Sequence, residues 1–378
     1  MNVRNKTTRN TIICYTTIVI LFVVIRMLSQ FGVLDFLGTI GTYLVNAFIQ
    51  IGMLFGLSIF MFKGVQKAKV KDVFKYYGYK KISWKAVLYS FLIGIIVYIL
   101  NVFVATFFNA ILSALGYTFT TSSGGGSYPF WLFLVNLVVT AILPGICEET
   151  AHRGMLLKGL SNLGSKKAII ISSLLFGLMH MNIEQFFYAT CIGLYLGYLT
   201  TLCDTIYPAM IIHFTNNALS LFMGFSNANG LGFGNMFTWL QYNFQNNFIV
   251  ALLFVIILVI LLVMALKALS KALYKETALK RMHNLQEALF TEMMRTAFQS
   301  EVKELAEGTK TTHEEDLENF DKIFMSTSIE TDNSSEIDNQ MLKEDTPFKL
   351  DTLSLVLLVT CFILTGAVTL MTFIIGVL

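Results

Sequence analysis

Long apolar runs, each nearly free of charge, decide what this chain can fold into. Residues 11–31 are interrupted only by Arg26, and runs of similar character cover 37–62, 86–115, 186–203, 248–266 and 352–378. Three more begin at Phe130, at Ala168 and just before Pro208. About 20 consecutive apolar residues suffice for a helix to cross the hydrocarbon core of a bilayer. Apolar residues make up 55% of the chain, charged residues only 13%, and phenylalanine alone occurs 33 times. That balance excludes an ordinary soluble domain and predicts an all-α, polytopic transmembrane helical bundle of about nine spans.

Charge gives the bundle a direction. Lys63, Lys67, Lys69, Lys71, Lys75, Lys80, Lys81 and Lys85 face a single Asp72 between the second and third runs. Lysine-rich loops stay in the cytoplasm. Tyr76, Tyr77, Tyr79 and Trp84 in this stretch suit the headgroup level, and anionic lipid is a better partner for it than nucleic acid. Lys158, Lys166 and Lys167 mark a second inner loop; Lys267, Lys271, Lys275, Lys280 and Arg281 mark a third. The N-terminus is then cytoplasmic and the C-terminus outside. The first run has no small-residue cleavage site behind it and reads as a retained span.

Five regions follow. Residues 1–129 hold the first spans and the basic loop, and 130–225 hold the polar motifs discussed below. Residues 226–269 form an outer loop and the eighth span. Residues 270–351 form a cytoplasmic amphipathic helix and an acidic, largely disordered segment open to a cytoplasmic partner. Residues 352–378 form the last span. The glycine–serine stretch 122–127 reads as a flexible outer connector. Cys14, Cys147, Cys191, Cys203 and Cys361 lie in or beside apolar runs without a CxxC pair, and read as small buried residues.

Polar residues inside membrane segments mark function by default. Cys147-Glu148-Glu149-Thr150-Ala151-His152-Arg153-Gly154 interrupts the fourth run. Glu149 stands four residues before Arg153, the favourable order for a helical ion pair. Glu148 lies about 100° further round the helix, free of that pairing, on the face of His152. His180 ends the fifth run, and the seventh carries His213 and Asn217, four apart and on one face. A carboxylate and a histidine can activate water, while a second histidine and a carboxamide can stabilise an oxyanion. Together they suit hydrolysis of an amide. Gly193-x-x-x-Gly197 would let the sixth helix approach its neighbours closely. Glu148, near the inner surface, meets His180 only if the spans tilt, if one breaks, or if the fifth extends above the inner surface before entering, and Pro144-Gly145 could supply a break.

In these residues the chain resembles the CAAX prenyl endopeptidase and bacteriocin-processing (CPBP, or Abi) intramembrane proteases. Their pattern is Glu-Glu-x-x-x-Arg, Phe-x-x-x-His and His-x-x-x-Asn, here Glu148 to Arg153, Phe176 to His180 and His213 to Asn217. The likeness covers about 131–221. It implies an endopeptidase (a hydrolase) of the bacterial plasma membrane acting on a membrane-associated peptide or protein. Glu148 would be the general base assisted by His180, with His213 and Asn217 as oxyanion hole and Glu149 and Arg153 supporting the helix. No cofactor is implied. His152 departs from the family's usual apolar residue before the arginine, which opens a zinc alternative using Glu148, His152, His180 and His213. A non-catalytic immunity or scaffold protein is the other alternative.

Overall fold

The computed structural model describes residues 3–119, 128–233, 239, 242–243, 246–307 and 350–377. The glycine–serine connector, expected to be flexible, most of the acidic segment, expected to be largely disordered, and parts of the outer loop lie outside the described residues. Among those described there is no strand. The helices are α1 (Val3–Gln30), α2 (Asp35–Gln66), α3 (Val70–Tyr76), α4 (Trp84–Ala114) and α5 (Phe130–Leu163). They continue with α6 (Ser165–Met179), α7 (Ile183–Cys203), α8 (Tyr207–Ala228), α9 (Phe248–Glu307) and α10 (Thr352–Val377).

Seven of these, α1, α2, α4, α5, α7, α9 and α10, are long and apolar enough to cross a membrane. The sequence reading expected about nine. The two remaining are α6, which has only 15 residues, and α8, whose 22 residues include Pro208, His213, Asn216 and Asn217. Both pack inside the bundle, where polar side chains find protein partners in place of lipid. Large apolar side chains point outward along α2, α4 and α9, among them Ile40, Phe60, Phe91, Phe107, Ile249 and Ile257. A membrane protein wears such residues on its lipid-facing side.

The chain divides into two compact units, residues 1–278 with 350–378 and residues 279–349. The expected amphipathic helix is not a separate element. It continues the eighth apolar run without a break, as one 60-residue helix that contains no glycine or proline to stop it. In the second unit Met282, Leu285, Leu289 and Phe298 are exposed along this helix.

In the larger unit, Ile12, Tyr15 and Ile18 of α1 pack with Met53 of α2, Met155 and Leu156 of α5 and Leu175 of α6. A second core joins Ile93 of α4, Leu196 of α7, Ile212 of α8 and Leu273 of α9. Of the aromatic residues expected at headgroup level, Tyr76 and Trp84 are exposed, whereas Tyr77 and Tyr79 turn inward. Tyr77 is fully buried and donates to the Ser58 carbonyl at 2.6 Å, and Tyr79 shares a 2.6 Å hydrogen bond with Thr150. A tyrosine can be buried this way because its one polar atom is satisfied. Burial pushes the Tyr79 hydroxyl up to about 12.

The basic loop is clamped to the turn between α7 and α8. Ile206 donates to the Gly78 carbonyl, Thr205 to that of Lys80, and Asp204 accepts from both Lys80 and Lys158. Partial burial works to raise the Asp204 carboxyl, but the two ammonium groups outweigh it and hold its pKa below the usual carboxylate value. A depressed folded-state pKa gives stability that is present above the unfolded value, about 3.9, and lost as pH falls through the folded one. Thermal unfolding followed from pH 6 down to pH 2.5 should therefore show a loss, about 1 kcal/mol or less for so exposed a cluster. In Asp204→Asn that part of the loss should be missing.

Candidate active site

The expected break at Pro144-Gly145 does not occur. The helix widens instead: Val138–Ile142 and Thr150–Leu157 are π-helical, and Leu143–Glu149 between them is α-helical. The wider turn ahead of Pro144 accommodates its missing N–H without ending the helix. Such π segments are frequent at functional sites. The need for a break also disappears. Helix α5 runs on to Leu163, so Glu148 sits in its middle and not near its end. Glu148 and His180 are equidistant in sequence from Gly164, where α5 gives way to α6, and both line the same cavity.

Two glycines permit the close packing. A Cβ on Gly145 would lie 3.2 Å from the Met210 carbonyl and the Phe214 N–H nitrogen, so α5 and α8 touch backbone to backbone. A Cβ on Gly193 would lie 3.1 Å from Ser173 and 3.3 Å from the Arg153 guanidinium. This is the close approach anticipated from Gly193-x-x-x-Gly197.

Beneath the site lies a buried charged cluster. Arg153 donates to Glu149 at 3.0 Å, with side-chain exposures of 1% and 0%. Its other terminal nitrogen donates to the Gly193 carbonyl at 3.2 Å, and its guanidinium carbon stands 4.3 Å from the centre of the Phe176 ring. The helical wheel anticipated the Glu149–Arg153 pair. It did not anticipate the third member: His213 Nδ1 lies 2.8 Å from the same Glu149 oxygen. A carboxylate only accepts, so Nδ1 carries the proton and Nε2 is the nitrogen left for other work. That nitrogen stands 3.9 Å from Glu148 Oε2.

Glu148, His180, His213 and Asn217 all line one cavity of about 480 Å³. Glu148 keeps 14% of its side chain exposed there. Asn217 donates to the Thr140 carbonyl at 3.1 Å and accepts from Asn216 at 3.0 Å. Phe176 is the hub, with the rings of His152, His180 and His213 standing edge-on at 5.0, 5.4 and 5.7 Å.

His152 also reaches the cavity wall, yet both its nitrogens are engaged. Nδ1 donates to the Glu148 backbone carbonyl at 2.8 Å, and Nε2 accepts from the Tyr15 hydroxyl at 3.1 Å. Among the described residues no three histidine, cysteine, aspartate or glutamate side chains are arranged to hold a metal ion. The four-residue zinc set is thus not assembled as expected.

Residues 129–219 match the family model described as Type II CAAX prenyl endopeptidase Rce1-like. This segment is similar to that family. The family is one of proteases, and the matched span agrees with the resemblance read over about 131–221. No curated protein and no solved structure matches the chain. The Rce1-like segment supplies every polar residue singled out from the sequence, but not the whole cavity. Arg26 of α1 and Asn46 and Gln50 of α2 also line it. Gln50 donates to Glu148 Oε1 at 2.8 Å. Sequence reasoning noted Arg26 only as an interruption of the first run and passed over Asn46 and Gln50, although two carboxamides four apart in an apolar run share a face and signal a polar neighbour.

Proposed function

We propose that this chain is an intramembrane endopeptidase that hydrolyses a peptide bond of a membrane-associated protein or peptide with water activated by Glu148. The observation that carries the reading is the single cavity on whose wall the Glu148 carboxylate meets His180, His213 and Asn217. The water oxygen attacks the scissile carbonyl carbon while its proton passes to Glu148 Oε2, and the carbonyl π electrons move onto oxygen. His180 holds the water beside Glu148. His213 turns Nε2 towards the oxyanion, to which it donates when that nitrogen carries a proton, and Asn217 donates from its carboxamide. Glu149 accepts from Nδ1 and fixes the ring. Collapse of the tetrahedral intermediate breaks the C–N bond, and Glu148 returns its proton to the leaving amine.

The catalytic region is 130–225, in a membrane bundle with a cytoplasmic N-terminus. The basic loop lies against anionic lipid, and residues 270–351 face a cytoplasmic partner. The family's name makes a prenylated C-terminal peptide the first substrate class to try. The reading is tested by quantitative peptidomics of cells carrying the native chain or Glu148→Gln. Uncut membrane-associated precursors should accumulate with the variant; identical peptide profiles would overturn it.

A further inference from the structure

Gln50 belongs to α2, far in sequence from the Rce1-like segment, and sits on the wide-turned stretch Phe48–Leu57. Its amide nitrogen donates to Glu148 Oε1 at 2.8 Å. The orientation is forced, because turning the amide over would set its carbonyl oxygen against an acceptor-only carboxylate. Its own carbonyl oxygen is buried and has no hydrogen-bond partner among the described residues. An unsatisfied buried acceptor costs stability, and an apolar side chain of the same shape would avoid that cost. Packing therefore does not account for a carboxamide here.

We infer that Gln50 is a positioning residue for Glu148: it occupies Oε1, stabilises the ionised carboxylate and leaves Oε2 as the oxygen that takes a proton. The inference rests on the reading of Glu148 as the base. The remaining groups around the carboxylate fit this division. His213 Nε2 is on the Oε2 side at 3.9 Å, His152 is committed to the Glu148 backbone, and Arg153 is committed to Glu149. His180, Tyr188 and Arg26 complete the charged or titratable lining of the cavity among the described residues. Gln50 is the hydrogen-bond donor that comes to this base from outside the matched segment.

The test needs no substrate. N,N′-dicyclohexylcarbodiimide modifies protonated carboxyl groups in apolar surroundings, and mass spectrometry of the full-length detergent-solubilised protein reports the yield at each glutamate. At neutral pH, Gln50→Met, which keeps the shape and loses the donor, should raise modification of Glu148 about tenfold over native. Modification of Glu149 should stay unchanged and the thermal midpoint should hold within about 2 °C. Gln50→Glu, placing a like charge against Glu148, should raise modification of Glu148 as well and provides a second variant should the first fold poorly. An unchanged yield at Glu148, or a rise matched at Glu149 that marks general loosening, would overturn the inference. The two proposals fail separately. Peptide profiles unaltered by Glu148→Gln would remove the protease reading whatever Gln50 does, whereas altered profiles with unchanged labelling in Gln50→Met would remove only this inference.

Discussion

Arg153→Met should cost about 3–5 kcal/mol of folding stability, enough to leave much of the protein unfolded, because it strands a buried carboxylate without its cation. Glu149 has no solvent to turn to, with its side chain fully buried. It would keep only the contact to His213. The change also removes the donor to the Gly193 carbonyl and the cation over Phe176, so α5, α6 and α7 lose a shared anchor. Arg153→Lys should recover only part of the loss, since one ammonium cannot reproduce the guanidinium fork. The double variant Arg153→Met/Glu149→Gln should be more stable than Arg153→Met alone, because no unpaired charge then remains. Unfolding followed by tryptophan fluorescence in mild detergent measures all three. A loss below about 1 kcal/mol in Arg153→Met would mean that water or another cation reaches Glu149.

The second large effect is on rate. His213→Leu should lower kcat by about 10²–10³-fold with KM little changed, the signature of a donor that acts on the transition state and not on bound substrate. His213 also supports the fold through Glu149, so the rate should be compared with a thermal midpoint on the same preparation. Asn217→Ala is the companion variant. Among the described residues its side chain hydrogen-bonds Thr140 and Asn216, and its effect should fall on kcat with little loss of stability. Parallel losses of kcat and stability in both variants would reduce these residues to packing roles.

What the sequence could show, and what it could not, follows from the range of the contacts. The pair of Glu149 with Arg153 was legible because four residues of helix set their distance whatever surrounds them. The polar residues of α6 and α8 stood out because apolar runs seldom tolerate histidine or asparagine. The meeting of His213 with Glu149, and of Gln50 with Glu148, was hidden. Each depends on how two helices distant in sequence are rotated and how closely they pack. The wheel put His152 on the face of Glu148, and both line the cavity. It could not show that the two ring nitrogens are taken up by the Glu148 backbone carbonyl and Tyr15 on a stretch, Thr150–Leu157, that is π-helical. The supposed break at Pro144 failed for a related reason: a helix can widen around a proline without stopping. The inward turn of Tyr77 was equally unreadable, since an amphipathic ring suits both a headgroup layer and a core with one carbonyl to spare.

The central claim is that Glu148 activates water in this cavity. Its most direct test is the rate at which purified native protein and Glu148→Gln, reconstituted in lipid vesicles, cleave the peptide that peptidomics identifies as accumulating. The variant keeps the side chain's size and its place in the helix, so folding should be unaffected. Loss of a general base predicts a rate at least about 10²-fold below native. A Glu148→Gln protein that cleaves the peptide within a few-fold of the native rate would contradict the account.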